Sequence, residues 1–308
     1  MTADELSQAL TLDGAYAICR AIAKREAKNF YYSFVALPAP RRNAICAIYA
    51  FMRKADDLSD DESLSREARR NDLDAWLAAW HAAAAGGDTK DPVFFAVRDA
   101  IQRFKIPLSL LDELVAGTTM DLENAASGTP DTYATFAELY RYCYLVASVV
   151  GLVCIRIFGY TDPRAEKFAE ETGIAFQLTN ILRDVQEDAE RNRVYLPLED
   201  LAAHNVKLES LLHRVPGTSP AQNERALIAE LALRAERYYQ SAQQLMPLID
   251  RESRPALWVL VSIYHRLLRK IEAADYDVFS ERASVPTVQK LSVLAIGMGR
   301  MAIARLGL

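Results

Sequence analysis

Glycine and proline are scarce in this 308-residue chain, at 12 each. That argues against a turn-rich β fold and favours long helices. Cysteine is scarcer, and Cys19, Cys46, Cys143 and Cys154 form no CxxC pair. Three of them fall in apolar helical stretches, so they read as buried free thiols of a reducing cytoplasm. The histidines His81, His204, His213 and His265 are far apart and complete no ExxH or HExxH motif. A carboxylate di-iron bundle and a zinc-protease site are thereby disfavoured. Positive charge is not in excess: the net charge is −5, which speaks against a nucleic-acid partner. Anionic substrates stay open, because a metal and local arginines can bind phosphate. No uninterrupted apolar run reaches the roughly 18–20 residues that span a bilayer. Leu145–Gly159 is interrupted by Arg156, and Leu291–Leu308 carries Arg300 and Arg305. A peripheral, amphipathic membrane contact through the latter run is the remaining option. The N-terminus has no signal-peptide pattern. Gly297-x-Gly299 lacks a third glycine and follows no strand, so no dinucleotide fingerprint is present.

What the chain does have is apolar residues, at 51% hydrophobic. That is enough for a sizeable core, read here as one domain over 1–308. The pattern predicts successive helices and no useful strand. Leu12–Asn29 is one helix, ended by Phe30, Tyr31 and Tyr32. A second runs from about Arg41 to Asp60, with Ile45, Ile48, Tyr49 and Met52 at helical spacing. Asp72–Ala85, Pro92–Phe104 and Pro107–Asn124 follow, and Ser127–Pro130 is a break. Phe136–Phe158 is apolar nearly all round, which predicts a central helix. Arg164–Glu190, Asn223–Ile249 and Arg254–Asp275 complete the set.

Two acidic clusters stand out. One is Asp56-Asp57-Leu58-Ser59-Asp60, preceded by Arg53. The other is Asn180 to Asp188, with Asp184 between them and Arg183 beside it. Residues four apart share a helix face, so Asp56 and Asp60 project together, as do Asn180, Asp184 and Asp188. Spacing alone means little, since this composition yields roughly five acidic pairs at i,i+4 by chance. Context adds weight: each cluster ends an apolar helix and has arginines beside it, with Arg191 and Arg193 after the second. Facing carboxylates could hold magnesium against a diphosphate, while guanidinium groups bind the phosphate oxygens. The metal would make the diphosphate a better leaving group, and an apolar pocket would shield the resulting carbocation.

These two clusters resemble the signatures of the squalene/phytoene synthase family. So do Ala47–Arg53 before the first, Asn29–Phe34 with Leu37-Pro38, Tyr142-Cys143-Tyr144 with Ala147 and Gly151, Arg191–Pro197, and Tyr276–Phe279. The similarity runs from about residue 14 to 295. It implies an all-α, single-domain isoprenoid synthase bundle around a central apolar cavity. It implies head-to-head condensation of two prenyl diphosphates through a cyclopropyl diphosphate. It also implies metal ligands at Asp56, Asp60, Asn180, Asp184 and Asp188. Asp57 would be a supporting acid, and Arg53, Arg183 and Arg193 would contact diphosphate. Tyr49, Tyr142, Tyr195 and Tyr276 would line the site, where aromatic faces steady cations, and Gln177 would help hold the intermediate. Asp121 matches a family position in the substrate site. Asn29 stands where many members have serine, and an amide can also hydrogen-bond phosphate.

The wording Asn29–Phe34, with Met52 in the lead-in to the first cluster, looks most like bacterial enzymes of the hopanoid branch. It points to farnesyl diphosphate as substrate and presqualene diphosphate, or squalene beyond it, as product. The alternative is phytoene formation from geranylgeranyl diphosphate. The cofactor implied is Mg2+, with Mn2+ as the alternative ion, and NADPH is read as not required. The partners are the prenyl diphosphates and, by extension, other isoprenoid-pathway enzymes. The location implied is the cytoplasm or the inner face of its membrane. Asp56–Asp60 also fits the DDxxD of head-to-tail prenyl synthases and terpene cyclases, but Asp184-Val185 does not repeat DDxxD and Asp184 and Asp188 depart from the cyclase pattern. A non-enzymatic helical scaffold is the remaining reading.

Overall fold

The computed structural model describes residues 11–305 apart from 62, 125–129 and 216; the side chains at 28, 29, 121, 123, 124, 301 and 303–305 also lie outside it. The proposed roles of Asn29 and Asp121 therefore fall outside the described residues. Capping residues set many helix starts. Thr11 accepts from the backbone of Gly14 at 3.2 Å and opens α1 (Leu12–Glu26). α2 (Lys28–Val35) follows directly, and Pro40 sits in the first turn of α3 (Ala39–Ser59). Ser65 caps α4 (Arg66–Ala84), and Asp91 with Pro92 opens α5 (Pro92–Phe104). α6 (Leu108–Asn124) leads to a two-residue strand β1 (Asp131–Thr132). Thr135 caps α7 (Phe136–Cys143), which runs through a π-helical turn at Tyr144–Ser148 into α8 (Val149–Phe158). The long α9 (Arg164–Glu190) ends before β2 (Arg193–Val194), which pairs in parallel with β1. Short helices α10 (Leu198–Ala203) and α11 (Leu208–Leu212) precede α12 (Gln222–Leu245), α13 (Arg254–Ala273) and α14 (Thr287–Arg305).

The all-helical expectation holds, with several local corrections. The first predicted helix breaks at Ala27, and Phe30, Tyr31 and Tyr32 lie inside α2 rather than ending a helix. The central helix carries the π turn, which shifts its register by one residue. The helix predicted over Asn223–Ile249 ends at Leu245, and Pro247 sits in a 3₁₀ turn. α14 is an additional helix. The predicted apolar run Leu145–Gly159 is the end of a longer helical span, Phe136–Phe158, long and apolar enough by composition to cross a bilayer. In this fold that span packs against α6 and α9 as a core element.

Two apolar clusters form the interior. One gathers α1, α3, α5 and α8; the other gathers α9, α12 and the second half of α13. The central span and α9 run antiparallel at very short range. A Cβ on Gly173 would lie 2.6 Å from Ser148 Cα, and one on Gly151 would lie 2.9 Å from the Ala169 carbonyl oxygen. Only glycine permits that approach of two backbones. All four cysteines are free, and three are buried.

Candidate active site

A cavity of about 310 Å³ lies between α2, α3, α8, α9 and α13. Two helices line it with one repeated spacing. α3 contributes Ile45, Ile48, Tyr49, Met52, Arg53 and Asp56; α9 contributes Ala169, Thr172, Gly173, Phe176, Gln177 and Asn180. Each set follows i, i+3, i+4, i+7, i+8, i+11, the stripe that faces one way along a helix. Each stripe begins apolar and ends polar at the helix C-terminal side, with Arg53 and Asp56 on one and Gln177 and Asn180 on the other. The cavity is thus a hydrocarbon slot with a polar mouth, and its lined walls run about 16 Å at 1.5 Å per residue.

The mouth is electrostatically loaded. Burial pushes the Asp56 carboxyl up to about 6, with the neighbouring Asp60 adding to the shift and the Thr118 hydrogen bond opposing it. That bond runs from Thr118 Oγ1 on α6 to Asp56 Oδ1 at 3.2 Å. Arg53 pairs with Asp57 at 2.5 Å. Asp60 is exposed and caps the end of α3. Asn180 donates to Gln177 Oε1 at 3.3 Å, but its Oδ1 is buried and accepts from none of the described residues. Tyr264 on α13 also lines the cavity, close to Asn180 and Arg183. Burial pushes its phenol up to about 12, Arg183 and a hydrogen bond with Asn180 oppose the shift, and Asp184 and Tyr49 add to it.

The second cluster continues along α9 beyond the cavity. Arg183 grips Asp184 with two nitrogens, one at 2.7 Å. Arg282, on the connection between α13 and α14, binds the same carboxylate at 2.7 Å and reaches Glu187 at 3.1 Å. Burial and then the nearby Asp184 push Asp188 up to about 7, with Arg193 and Arg191 opposing. Burial and then Arg183 lower the ammonium of Lys290 on α14, which places a further cation near this cluster.

Of the residues predicted from sequence, Tyr49, Arg53, Asp56, Gln177 and Asn180 line the cavity. Asp57, Arg183 and Asp184 pair with partners beside it. Tyr142 and Tyr195 are not among the lining residues. Their rings stack at 5.0 Å and pack with Tyr133 inside the second apolar cluster. Tyr195 follows β2, where Arg193 lies 3.7 Å from Asp131, and it lines a second, small pocket together with Asp188 and Arg193. Tyr276 stands in a left-handed conformation (φ 59°) just after α13, packed on that same cluster. Sequence reasoning missed Thr118, Tyr264, Arg282 and Lys290. Only Tyr264 left a trace, a polar aromatic on the otherwise apolar face of α13.

Among the described residues no three acidic, histidine or cysteine side chains converge tightly enough to hold a metal by themselves. The donor set still suits a hard cation that takes its other oxygens from water and phosphate. It offers a buried, unpaired amide oxygen at Asn180 and carboxylates raised chiefly by burial at Asp56 and Asp188.

The family model for squalene/phytoene synthase matches residues 23–289. The chain is 34% identical over 303 residues to a phytoene synthase of Arthrospira platensis, covering 94% of each protein. It is 35% identical over 305 residues to a 15-cis-phytoene synthase of Synechococcus elongatus, covering 95% of each. Among solved structures it resembles a dehydrosqualene synthase with bound ligand (TM-score 0.80, 29% identity, 94% of this chain and 98% of that one). It also resembles a squalene synthase of Alicyclobacillus acidocaldarius (TM-score 0.77, 26% identity, 86% and 96%).

Proposed function

The chain belongs to the squalene/phytoene synthase family, prenyltransferases that join two prenyl diphosphates head to head, and on that premise we propose that it is a magnesium-dependent phytoene synthase acting on geranylgeranyl diphosphate. The observation that carries this reading is the pair of matched stripes on α3 and α9. They make a long apolar slot whose only polar end is the one where both acidic clusters begin. A prenyl chain fits the slot and its diphosphate fits the mouth. The choice of the twenty-carbon substrate follows the relatives of 34–35% identity, which are phytoene synthases. It departs from the farnesyl reading suggested by the wording of Asn29–Phe34.

In this proposal Asp56, Asp60, Asn180, Asp184 and Asp188 hold the metal, which when bound neutralises diphosphate charge and improves the leaving group. Arg53, Arg183 and Arg282 anchor the phosphate oxygens. Tyr49, Phe176 and Tyr264 line the slot near the mouth, where their faces steady developing positive charge. The apolar walls keep water from the cation, so proton loss rather than hydration ends the reaction. NADPH has no part in it. The product is a hydrocarbon, and α14 offers a face for a lipid surface through Val288, Leu291 and Ile296, which are 74%, 51% and 48% exposed. This supports a peripheral position at a membrane.

The test is direct. Purified protein is incubated separately with farnesyl and geranylgeranyl diphosphates, with and without Mg2+ and NADPH, and the products are separated by chromatography. Phytoene from the longer substrate, in Mg2+ alone, is the expected result. A presqualene or squalene product from farnesyl diphosphate, with no reaction of the longer chain, overturns the assignment.

A further inference from the structure

The far end of the cavity can be located from the helix registers. Asp56 marks the mouth on α3, and Arg41 lies near the opposite end of that helix, about 22 Å away along its axis. Arg41 pairs with Asp250 at 2.6 Å and donates to Ser253 Oγ at 2.5 Å. Between these groups sits Gly159 (φ 81°). A Cβ there would fall 2.0 Å from Asp250 Oδ2 and 3.1 Å from Arg41 Nη2, so the position demands glycine. The Asp250 amide donates to the Gly159 carbonyl at 2.8 Å, and Tyr160 bridges to Ile249. The start of α3, the end of α8 and the connection from α12 to α13 are therefore clamped at one point.

Phe158 precedes that clamp, lines the cavity and is 2% exposed. The antiparallel register of α8 on α9, from Ser148 at Gly173 to Gly151 at Ala169, carries Phe158 past the deepest α9 lining residue, Ala169. Ile45 in the first half of α3, Leu245 at the end of α12 and Leu257 in the first turn of α13, the elements that the clamp joins, also line the cavity. We propose that Phe158, held by the Arg41–Asp250–Gly159 clamp, is the stop for the far end of the prenyl chain and sets the longest chain the enzyme couples. This rests on the reading of the cavity as a prenyl diphosphate site. A ring fixed by its own backbone on one side and by a buried wall on the other has little room to yield. A chain one isoprene unit too long must then fold back or leave its diphosphate short of the mouth.

The test compares Phe158→Ala, Phe158→Leu and the filling variant Leu245→Phe with wild type. Each is given farnesyl, geranylgeranyl and geranylfarnesyl diphosphates at fixed Mg2+. A single methylene in an apolar pocket discriminates by about 10–200-fold. Phe158→Ala is therefore expected to raise kcat/KM for the longest substrate relative to geranylgeranyl diphosphate at least tenfold. Leu245→Phe should shift preference toward farnesyl diphosphate by a similar factor. Melting temperature identifies folded variants, and Phe158→Leu and Leu245→Phe carry the test if Phe158→Ala does not fold. Unchanged ratios in folded variants overturn the stop. Thermal shift with the same three diphosphates reads tail length without turnover. A shifted order of binding supports the stop even where no coupled product forms, which would count against the condensation alone.

Discussion

Arg282 Nη2 lies 2.7 Å from Asp184 Oδ1, bringing the connection after α13 onto the carboxylate that α9 presents beside the active-site mouth. This guanidinium and that of Arg183 both pair with Asp184, so together they supply the positive charge beside that carboxylate. Arg282 is 53% exposed, so its pairing should contribute under about 1 kcal/mol. Arg282→Ala is expected to lower the melting temperature in chelator and to lose most of that deficit with Mg2+ and pyrophosphate. An equal deficit under both conditions would show that the arginine acts only as a structural tie.

Asp56 and Asp188 have carboxyls raised from 3.8 to about 6 and about 7. Between about pH 4 and 7 the folded, metal-free protein therefore holds more protons than the unfolded chain. Its stability should fall as pH rises through that window and level off above it. Metal needs the ionised carboxylates, so stabilisation by Mg2+ should grow through pH 6–7, and turnover with it. Urea titrations at a series of pH values, with and without Mg2+, read both trends. Metal-free stability that rises from pH 5 to 7 would contradict the first.

Asp56→Asn separates function from folding. The carboxylate is desolvated, so replacing it by a neutral isostere should leave the melting temperature unchanged or raise it. Turnover should drop by more than the roughly 10–100-fold seen when residues behind a metal ligand are altered. Near-normal kcat in the purified variant would remove Asp56 from the metal site.

Gly173→Ala puts a methyl 2.6 Å from the Ser148 Cα. The three nearest atoms, in Ser148 and Ala147, are all backbone and cannot rotate away, so a loss of about 1–3 kcal/mol is expected, readable as a lower urea midpoint. A variant as stable as wild type would mean that the central span can slide on α9.

Leu291→Glu and Ile296→Glu place charge on the exposed face of α14. Flotation with phospholipid vesicles should show reduced recovery of both variants, while turnover in detergent stays near wild type. Equal flotation of variants and wild type would leave α14 without a lipid role.

Much of the fold was legible because its signals are local. The stripe Ile45–Asp56 and the long α9 announce themselves by spacing, and the bounds of α3 and α9 fall within two residues of expectation. The slot's polar end could be read from Asp56 and Asn180 for the same reason. What escaped depends on contacts far apart in sequence. Arg282 meets Asp184 across 98 residues, and the Thr118 bond to Asp56 spans 62. The stacking of Tyr142 on Tyr195 likewise joins residues 53 apart, and Tyr195 follows a two-residue strand pairing that periodicity does not reveal. The break at Ala27 carries no glycine or proline to mark it, and the π turn is buried in an unbroken apolar run.

The glycine contacts between the central span and α9 have a consequence for how such an enzyme could diversify. Where Gly173 and Gly151 bring two backbones together, that wall cannot move inward, and adding a side chain pushes the helices apart. The slot therefore has a fixed bore. Its end, by contrast, is made of single side chains that can be exchanged one at a time. A gauge built this way changes the length it accepts without changing its width, so new chain lengths lie one substitution away while new shapes of substrate require rebuilding the bundle.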